Sequence, residues 1–206
     1  MRVGYMLYTP FGVRGHDIGA SDSTGHFAYM YRLFAEGTLP SSNEYQFYHP
    51  PFEHIAQALV VRVFSWLRPG AEMASLFEAA KLVPCFALLW VTRSLCRVTN
   101  LSPRATALGI AVVAFQPTFF IFSASVNNDP LMVFFFMVAV LYTIRWYYAP
   151  TMKHILLIAL AIGLGMMTKL SAAAVALFTA PVFLAVFVRS FSEGRAGRIF
   201  GQVAAF

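Results

Sequence analysis

The sequence predicts an all-α fold, a polytopic bundle of transmembrane helices with two amphipathic helices along the membrane surface. Apolar residues make up 59% of the 206-residue chain and charged residues only 12%. This composition lies outside the range of soluble globular domains. The apolar residues also gather in blocks of about 20, the length that crosses a hydrocarbon core, and single cations separate the blocks. The pattern therefore indicates an integral membrane protein.

Residues 1–75 are predicted to form a large loop on the outer face instead of a span, because their acids and bases nearly balance. A first amphipathic helix is expected at about 22–36. Ser21 or Asp22 can cap its start, and Gly37 can end it.

A second amphipathic helix is expected at about 51–67, opened by two prolines and ended before a Pro-Gly pair. Its apolar face carries Ile55, Leu59, Val63 and Trp66. Such helices lie at the membrane surface with the apolar face towards the lipid. The alternative is a further crossing, against which stand its shortness and Arg62 in its interior.

Residues 76–206 are predicted to form the transmembrane bundle. The spans are expected at about 76–98, 105–126, 130–149, 155–167 and 170–188. The last two belong to one apolar stretch, which as a single helix would be roughly 50 Å long. That length exceeds a hydrocarbon core of ~30 Å, so the stretch is divided at Lys169. One long tilted helix is the alternative.

Cations orient the bundle, because short loops rich in Lys and Arg stay in the cytoplasm. They follow alternate spans: Arg93, Arg97, Arg104; Arg145, Lys153; and Arg189, Arg195, Arg198. This arrangement puts residues 1–75, Asp129 and Lys169 together on the outer face. The chain is also expected to be a fragment, truncated at both ends, because 1–10 is too short to span and a new apolar stretch begins at 202–206.

Two other classes of site are not favoured. The net charge is +6, but the cations form no basic run, so nucleic acid is not an expected partner. Cys85 and Cys96 have neither metal-ligand nor disulfide spacing. The sequence assigns no metal ligand.

Ionisable residues near the membrane are candidates for function, because an unpaired buried charge is costly. In SVNNDP, Asn128 or Asp129 either caps the following helix or faces a site. Lys169 either reaches to the lipid headgroups or binds an anionic ligand.

The loop from HDIGASDSTGH to YHPP contains the other candidates. Asp17 and Asp22 are carboxylates that can serve as a general base, and capping or solvation is their alternative role. Asp22 and His26 are four residues apart and would share a helix face. Tyr48 and His49 precede two prolines, which fix an extended backbone and can aim polar side chains. A purely structural corner is the alternative there.

The segments GHFAYMYRLFAEGTLP, YHPPFEH, SVNNDP and GLGMMTKLSA, in this order, resemble the polyprenyl-phosphate-dependent glycosyltransferases of the GT-C superfamily. The similarity is greatest to the protein mannosyltransferase and aminoarabinose transferase type, and it covers nearly the whole chain. It implies a multi-pass enzyme of the bacterial inner membrane. The enzyme would move a sugar from a polyprenyl-phosphate donor to a hydroxyl acceptor, with inversion, on the outer face.

The resemblance also implies roles for the candidates. Asp17 or Asp22 would be the base, with equal weight, and Lys169 would stabilise the leaving phosphate. Substrate-binding residues would be His16, His26, Tyr48, His49, Asn128, Asp129 and Lys169. The donor is a substrate, no further cofactor is assigned, and a role for a divalent metal is left open.

Two other functions compete. One is a transporter or lipid flippase with Asp129 and Lys169 on the substrate path. Transporters of this kind are expected to contain an internal repeat, and the sequence shows none. The other is a non-catalytic membrane subunit, in which Asp17, Asp22 and Lys169 would be dispensable.

Overall fold

The structure is a computed structural model that describes residues 2–9, 25–41, 43, 47–87, 90, 101–122 and 124–206. Within these ranges every regular element is helical and none is a strand. The predicted all-α fold is therefore confirmed.

The described residues contain ten α-helices and two 3-10 turns. The α-helices are α1 (Arg2–Tyr8), α2 (His26–Ala35), α3 (Phe52–Leu67), α4 (Met73–Phe77), α5 (Pro103–Phe115), α6 (Pro117–Phe122), α7 (Asp129–Tyr148), α8 (Met152–Thr168), α9 (Ala176–Ser192) and α10 (Ala196–Ala204). Two 3-10 turns, Glu78–Lys81 and Leu170–Val175, follow α4 and precede α9. Helical residues 82–87 continue after the first turn, and most of the remainder of the expected span 76–98 lies outside the described residues.

Two of the described helical stretches are long and apolar enough to cross a membrane, Asp129–Tyr148 and Leu170–Ser192. Only 33% and 22% of their most apolar windows are buried within the protein. A core helix of a soluble protein would be mostly buried, so these faces suit lipid contact. α5 and α8 are shorter apolar helices.

The long apolar stretch is divided at Lys169, the position where the sequence predicts the division. α8 ends at Thr168, and Lys169 has extended backbone with φ −158° and ψ 128°. A Cβ on Gly165 would lie 3.0 Å from the Ala172 Cβ and 3.2 Å from the Phe135 Cβ. The glycine therefore allows the returning chain to pass close to α8.

The apolar stretch at 105–126, predicted as one span, contains two helices in the structure, α5 and α6. Gln116 separates them with φ −64° and ψ 116°, because the residue before a proline is driven out of the helical region. Its side-chain oxygen then accepts a hydrogen bond from Phe119 N–H at 3.1 Å and caps α6. Pro117 is the signal in the sequence for this break.

Packing joins the first part of the chain to the bundle. α7 and α8 form the most extensive helix pair, α2 packs against α3, and α3 also contacts α8. A buried cluster shared by these parts contains Met30, Ala58, Val61, Leu76, Phe77, Ala80 and Val126. The Phe52 ring meets the Phe135 ring of α7 edge to face at 5.8 Å. The α2–α3 pair is thus fixed beside the start of α7.

The two faces of α3 are reversed relative to those of a helix in a soluble protein. Its buried side includes the polar residues Glu53, His54 and Gln57. Its apolar side is exposed: Leu59 is 58% exposed and Trp66 78%. An outward apolar face is what a helix at a lipid surface needs.

Candidate functional site

Two site residues predicted from the sequence form an ion pair. The Lys169 ammonium donates to Asp129 Oδ1 at 2.5 Å, and both side chains are 28% exposed. Asp129 opens α7, where its backbone N–H donates to Asn127 Oδ1 at 2.8 Å. Lys169 lies directly after the last residue of α8. The pair therefore joins the adjacent ends of these two helices and remains partly accessible.

Asn128 also links the start of α7 to the end of α8. It occupies the N-cap position of α7, but its side chain makes no capping bond. It is fully buried, and its Nδ2 donates to the Thr168 carbonyl at 3.4 Å. The capping role considered for Asn128 is thus replaced by a link across to α8, which holds the residue next to Lys169.

Two histidines from different helices share a buried hydrogen bond. His26 opens α2, His54 lies in the first turn of α3, and His26 Nδ1 is 2.9 Å from His54 Nε2. One ring must donate and the other accept, because a neutral imidazole has one N–H donor and one acceptor nitrogen. The Tyr29 ring stacks on His54 at 4.1 Å between centroids. The bond therefore ties α2 to α3 at their starts.

His49 connects this pair to the charged residues. Its ring stacks on His26 at 5.1 Å between centroids. Burial and, to a smaller extent, the charges of His49 and Lys169 together lower the pKa of His26 to about 3. Burial and Lys169 also lower the pKa of His49, whereas Asp129 raises it. The four side chains therefore occupy one electrostatic environment, in which the His26 ring is neutral at pH 7.

Tyr48 lies at the edge of this cluster. Tyr48 is 62% exposed, and its ring lies tilted against His49 at 4.5 Å. His16, Asp17 and Asp22 lie outside the described residues. The structure thus brings together His26, His49, Asp129 and Lys169, with Asn128 beneath and Tyr48 at the edge.

The buried polar side of α3 was not predicted from the sequence. Burial lowers the pKa of His54 well below its usual range. Glu53 Oε1 accepts a hydrogen bond from Gln57 Nε2 at 2.8 Å. Glu53 and Gln57 are four apart and would share a helix face, and both lie on the side away from Leu59. Polar residues on one side of an otherwise apolar helix were the available signal.

The surroundings of Glu53 favour the neutral form of its carboxyl group. It is fully buried, and burial raises its pKa well above the usual range. Glu53 Oε2 and Gln57 Oε1 have no hydrogen-bond partner among the described residues. A proton on Glu53 adds an O–H donor, and an amide oxygen such as Gln57 Oε1 can accept a hydrogen bond from it. The protonated acid is therefore the form that suits this buried position.

We expect Glu53→Gln to raise the apparent melting temperature of the full-length protein at pH 8. The folded state holds a proton that the unfolded state releases above the ordinary pKa of 4.5. Stability therefore falls by about 1.4 kcal/mol per pH unit as pH rises towards the folded pKa. The substitution removes this loss of stability. The melting temperature should therefore depend less on pH between about pH 7 and 8.5, where histidines no longer titrate in the unfolded chain.

Thermal melts in detergent provide the measurement. Glu72→Gln is the matched control, because Glu72 is exposed at the start of α4, and it should keep the wild-type slope. An unchanged slope or a lower melting temperature for Glu53→Gln would show that Glu53 is ionised in the folded protein.

In the described part of the chain, no group of three or more His, Cys, Asp or Glu side chains is arranged to hold an ion. What the cluster offers is one ammonium group with a carboxylate partner, beside imidazole donors and acceptors. Such groups suit an anionic ligand that also carries hydroxyl groups.

Comparison with known proteins identifies a family. The model of the family described as "Dolichyl-phosphate-mannose-protein mannosyltransferase" matches residues 48–196. Searches of curated proteins and of solved structures found no match. The matched region covers well over half of the chain and contains His49, Asp129 and Lys169. The resemblance inferred from the sequence is confirmed, and the chain belongs to the dolichyl-phosphate-mannose-protein mannosyltransferase family of membrane glycosyltransferases.

Proposed function

We propose that the full-length protein transfers a sugar from a polyprenyl-phosphate donor to a hydroxyl acceptor on the outer face of a bacterial plasma membrane. The acceptor is a lipid, glycan or protein hydroxyl, and the anomeric configuration is inverted. Family membership supports glycosyl transfer. The observation that carries the site assignment is the accessible Lys169–Asp129 pair beside His26 and His49.

The reaction is a single displacement. The acceptor oxygen bonds to the anomeric carbon while the bond from that carbon to the phosphate oxygen breaks. The acceptor proton passes to a carboxylate, for which Asp17 and Asp22 are the candidates. The polyprenyl phosphate leaves with the bonding electrons. Because the acceptor attacks from the side opposite the leaving group, the anomeric configuration inverts.

Lys169 is proposed to bind the phosphate as it leaves. An ammonium group has three N–H donors, and the contact to Asp129 uses one of them. Asp129 therefore holds the ammonium in place while other donors face the ligand. A fixed charge in a weakly screened site stabilises the developing phosphate charge more strongly than water does.

His26 and His49 are proposed to bind sugar hydroxyl groups. A neutral imidazole offers one donor and one acceptor, the two groups that a hydroxyl can meet, and in His26 the Nδ1 atom is already bonded to His54. The hydrogen bond with His54 and the stacking of His49 hold the His26 ring in one orientation. The exposed Tyr48 ring would lie at the entrance to the site.

The test is consumption of a lipid-linked sugar by the full-length protein in proteoliposomes. Polyprenyl phosphates carrying different radiolabelled sugars are supplied with a mixture of acceptors, and empty liposomes serve as the control. We expect release of polyprenyl phosphate with one donor and a product whose anomeric configuration, read by NMR, is opposite to that of the donor. Movement of the donor across the bilayer without consumption would favour the transporter, and retention of configuration would exclude the single displacement.

A further inference from the structure

The exposed side of α3 contains two apolar hollows that meet at one cation. The first, of about 360 Å³, lies between α2 and α3 and is lined by Leu33, Leu39, Ile55 and Leu59, among others. The second, of about 330 Å³, lies along α3 beside Val63 and Trp66. Leu59 and Arg62 line both hollows, so the two form one continuous surface.

Arg62 is the only charged side chain among the described residues that line the two hollows. Its Nη2 donates to the Phe34 carbonyl at 2.5 Å, and its guanidinium carbon lies 5.7 Å from the centre of the Phe34 ring. A guanidinium has five N–H donors, so this anchor fixes its position and leaves donors for an anion. Arg62 itself is exposed.

We infer that this surface is a seat for a two-chain anionic phospholipid of the bilayer. The phosphate would accept hydrogen bonds from Arg62, since guanidinium groups recognise phosphate oxygens well. One acyl chain would lie in each hollow, against Leu39 and Ile55 on one side and Val63 and Trp66 on the other. Two hollows that diverge from one cation match a lipid with two chains better than a polyprenyl phosphate, which has one.

Exposure along α3 supports a lipid occupant. Leu39 is 60% exposed, Leu59 58% and Val63 53%, which is costly in water for so many neighbouring apolar groups. Trp66 is the most exposed of the set, and tryptophan is a residue favoured at the membrane–water boundary. The seat contains none of the residues assigned to sugar transfer, so it stands independently of the proposed reaction.

The seat can be tested by native mass spectrometry of the full-length protein in detergent, titrated with defined lipids. We expect phosphatidylglycerol to bind more tightly than phosphatidylcholine, which has no net charge, and more tightly than lysophosphatidylglycerol, which has only one acyl chain. Arg62→Gln should weaken phosphatidylglycerol binding about fivefold and remove the preference over phosphatidylcholine. Leu59→Asp, which places a carboxylate between the hollows, should have the same effect.

Arg68→Gln is the matched control, because Arg68 is an exposed arginine at the end of the same helix outside both hollows. It should retain wild-type binding and preference. Equal binding of the three lipids to the wild-type protein, or an equal loss with Arg68→Gln, would overturn the inference. Displacement of phosphatidylglycerol by equimolar polyprenyl phosphate would assign the seat to the donor lipid and would also overturn it.

Discussion

Replacing Lys169 with alanine should lower the turnover number for sugar transfer by about 100-fold or more. Removing one preorganised charge or donor from a site of transition-state stabilisation typically costs 10²–10³ in rate. In the proposed mechanism Lys169 faces the charge that develops on the leaving phosphate, so the loss should appear in turnover. Lys169→Arg should restore part of the rate, because it keeps the charge but changes the donor geometry.

The ion pair with Asp129 requires a control for folding. Removing only Lys169 leaves a partly buried carboxylate without its partner, which can destabilise the protein by itself. The double variant Lys169→Ala, Asp129→Ala removes both charges and should recover the melting temperature without recovering transfer. Lys153→Ala serves as the matched control, because Lys153 is exposed at the opposite end of α8. Recovery of transfer in the double variant would limit the pair to a structural role.

Of Asp17→Asn and Asp22→Asn, one should reduce transfer by about 10²–10⁴, the range for loss of a general base. An amide cannot accept the proton of the acceptor hydroxyl at neutral pH, so donor binding should persist while turnover fails. The increase of the rate with pH that reflects ionisation of the base should disappear in the same variant. The comparison also decides between two positions that the sequence ranks equally.

Kinetics in proteoliposomes at several pH values, with donor binding measured separately, provide the readout. Glu36→Gln is the control, because Glu36 is an exposed acid at the end of α2 and should leave turnover unchanged. Equal expression and melting temperature across the variants separate catalysis from folding. If both aspartate variants transfer sugar at the wild-type rate, the proposed proton transfer is wrong.

The helical fold could be predicted well because its signals are local. Length and hydropathy define each apolar stretch, and these properties do not depend on tertiary contacts. The division at Lys169 followed from a length that exceeds the bilayer. The break at Gln116 was missed, although its cause, Pro117, is visible in the sequence.

The candidate site was only partly predictable, because pattern shows which residues share a helix face but not what that face contacts. The apolar stripe of α3 was identified, and the structure shows that it points away from the protein. No contact was predicted for the opposite stripe. In the structure Glu53 and Gln57 are buried there, because α2, α4 and α8 pack around α3.

The sequence by itself determined the class of protein, the positions of most helices and the residues that could react, since composition and motif order carry that information. Only the tertiary structure decided which of these residues meet. Asp129 and Lys169 are 40 positions apart, and His26 and His54 are 28 apart. Each pair forms because two helices pack with their ends adjacent, and such long-range contacts depend on side-chain fit across the whole bundle.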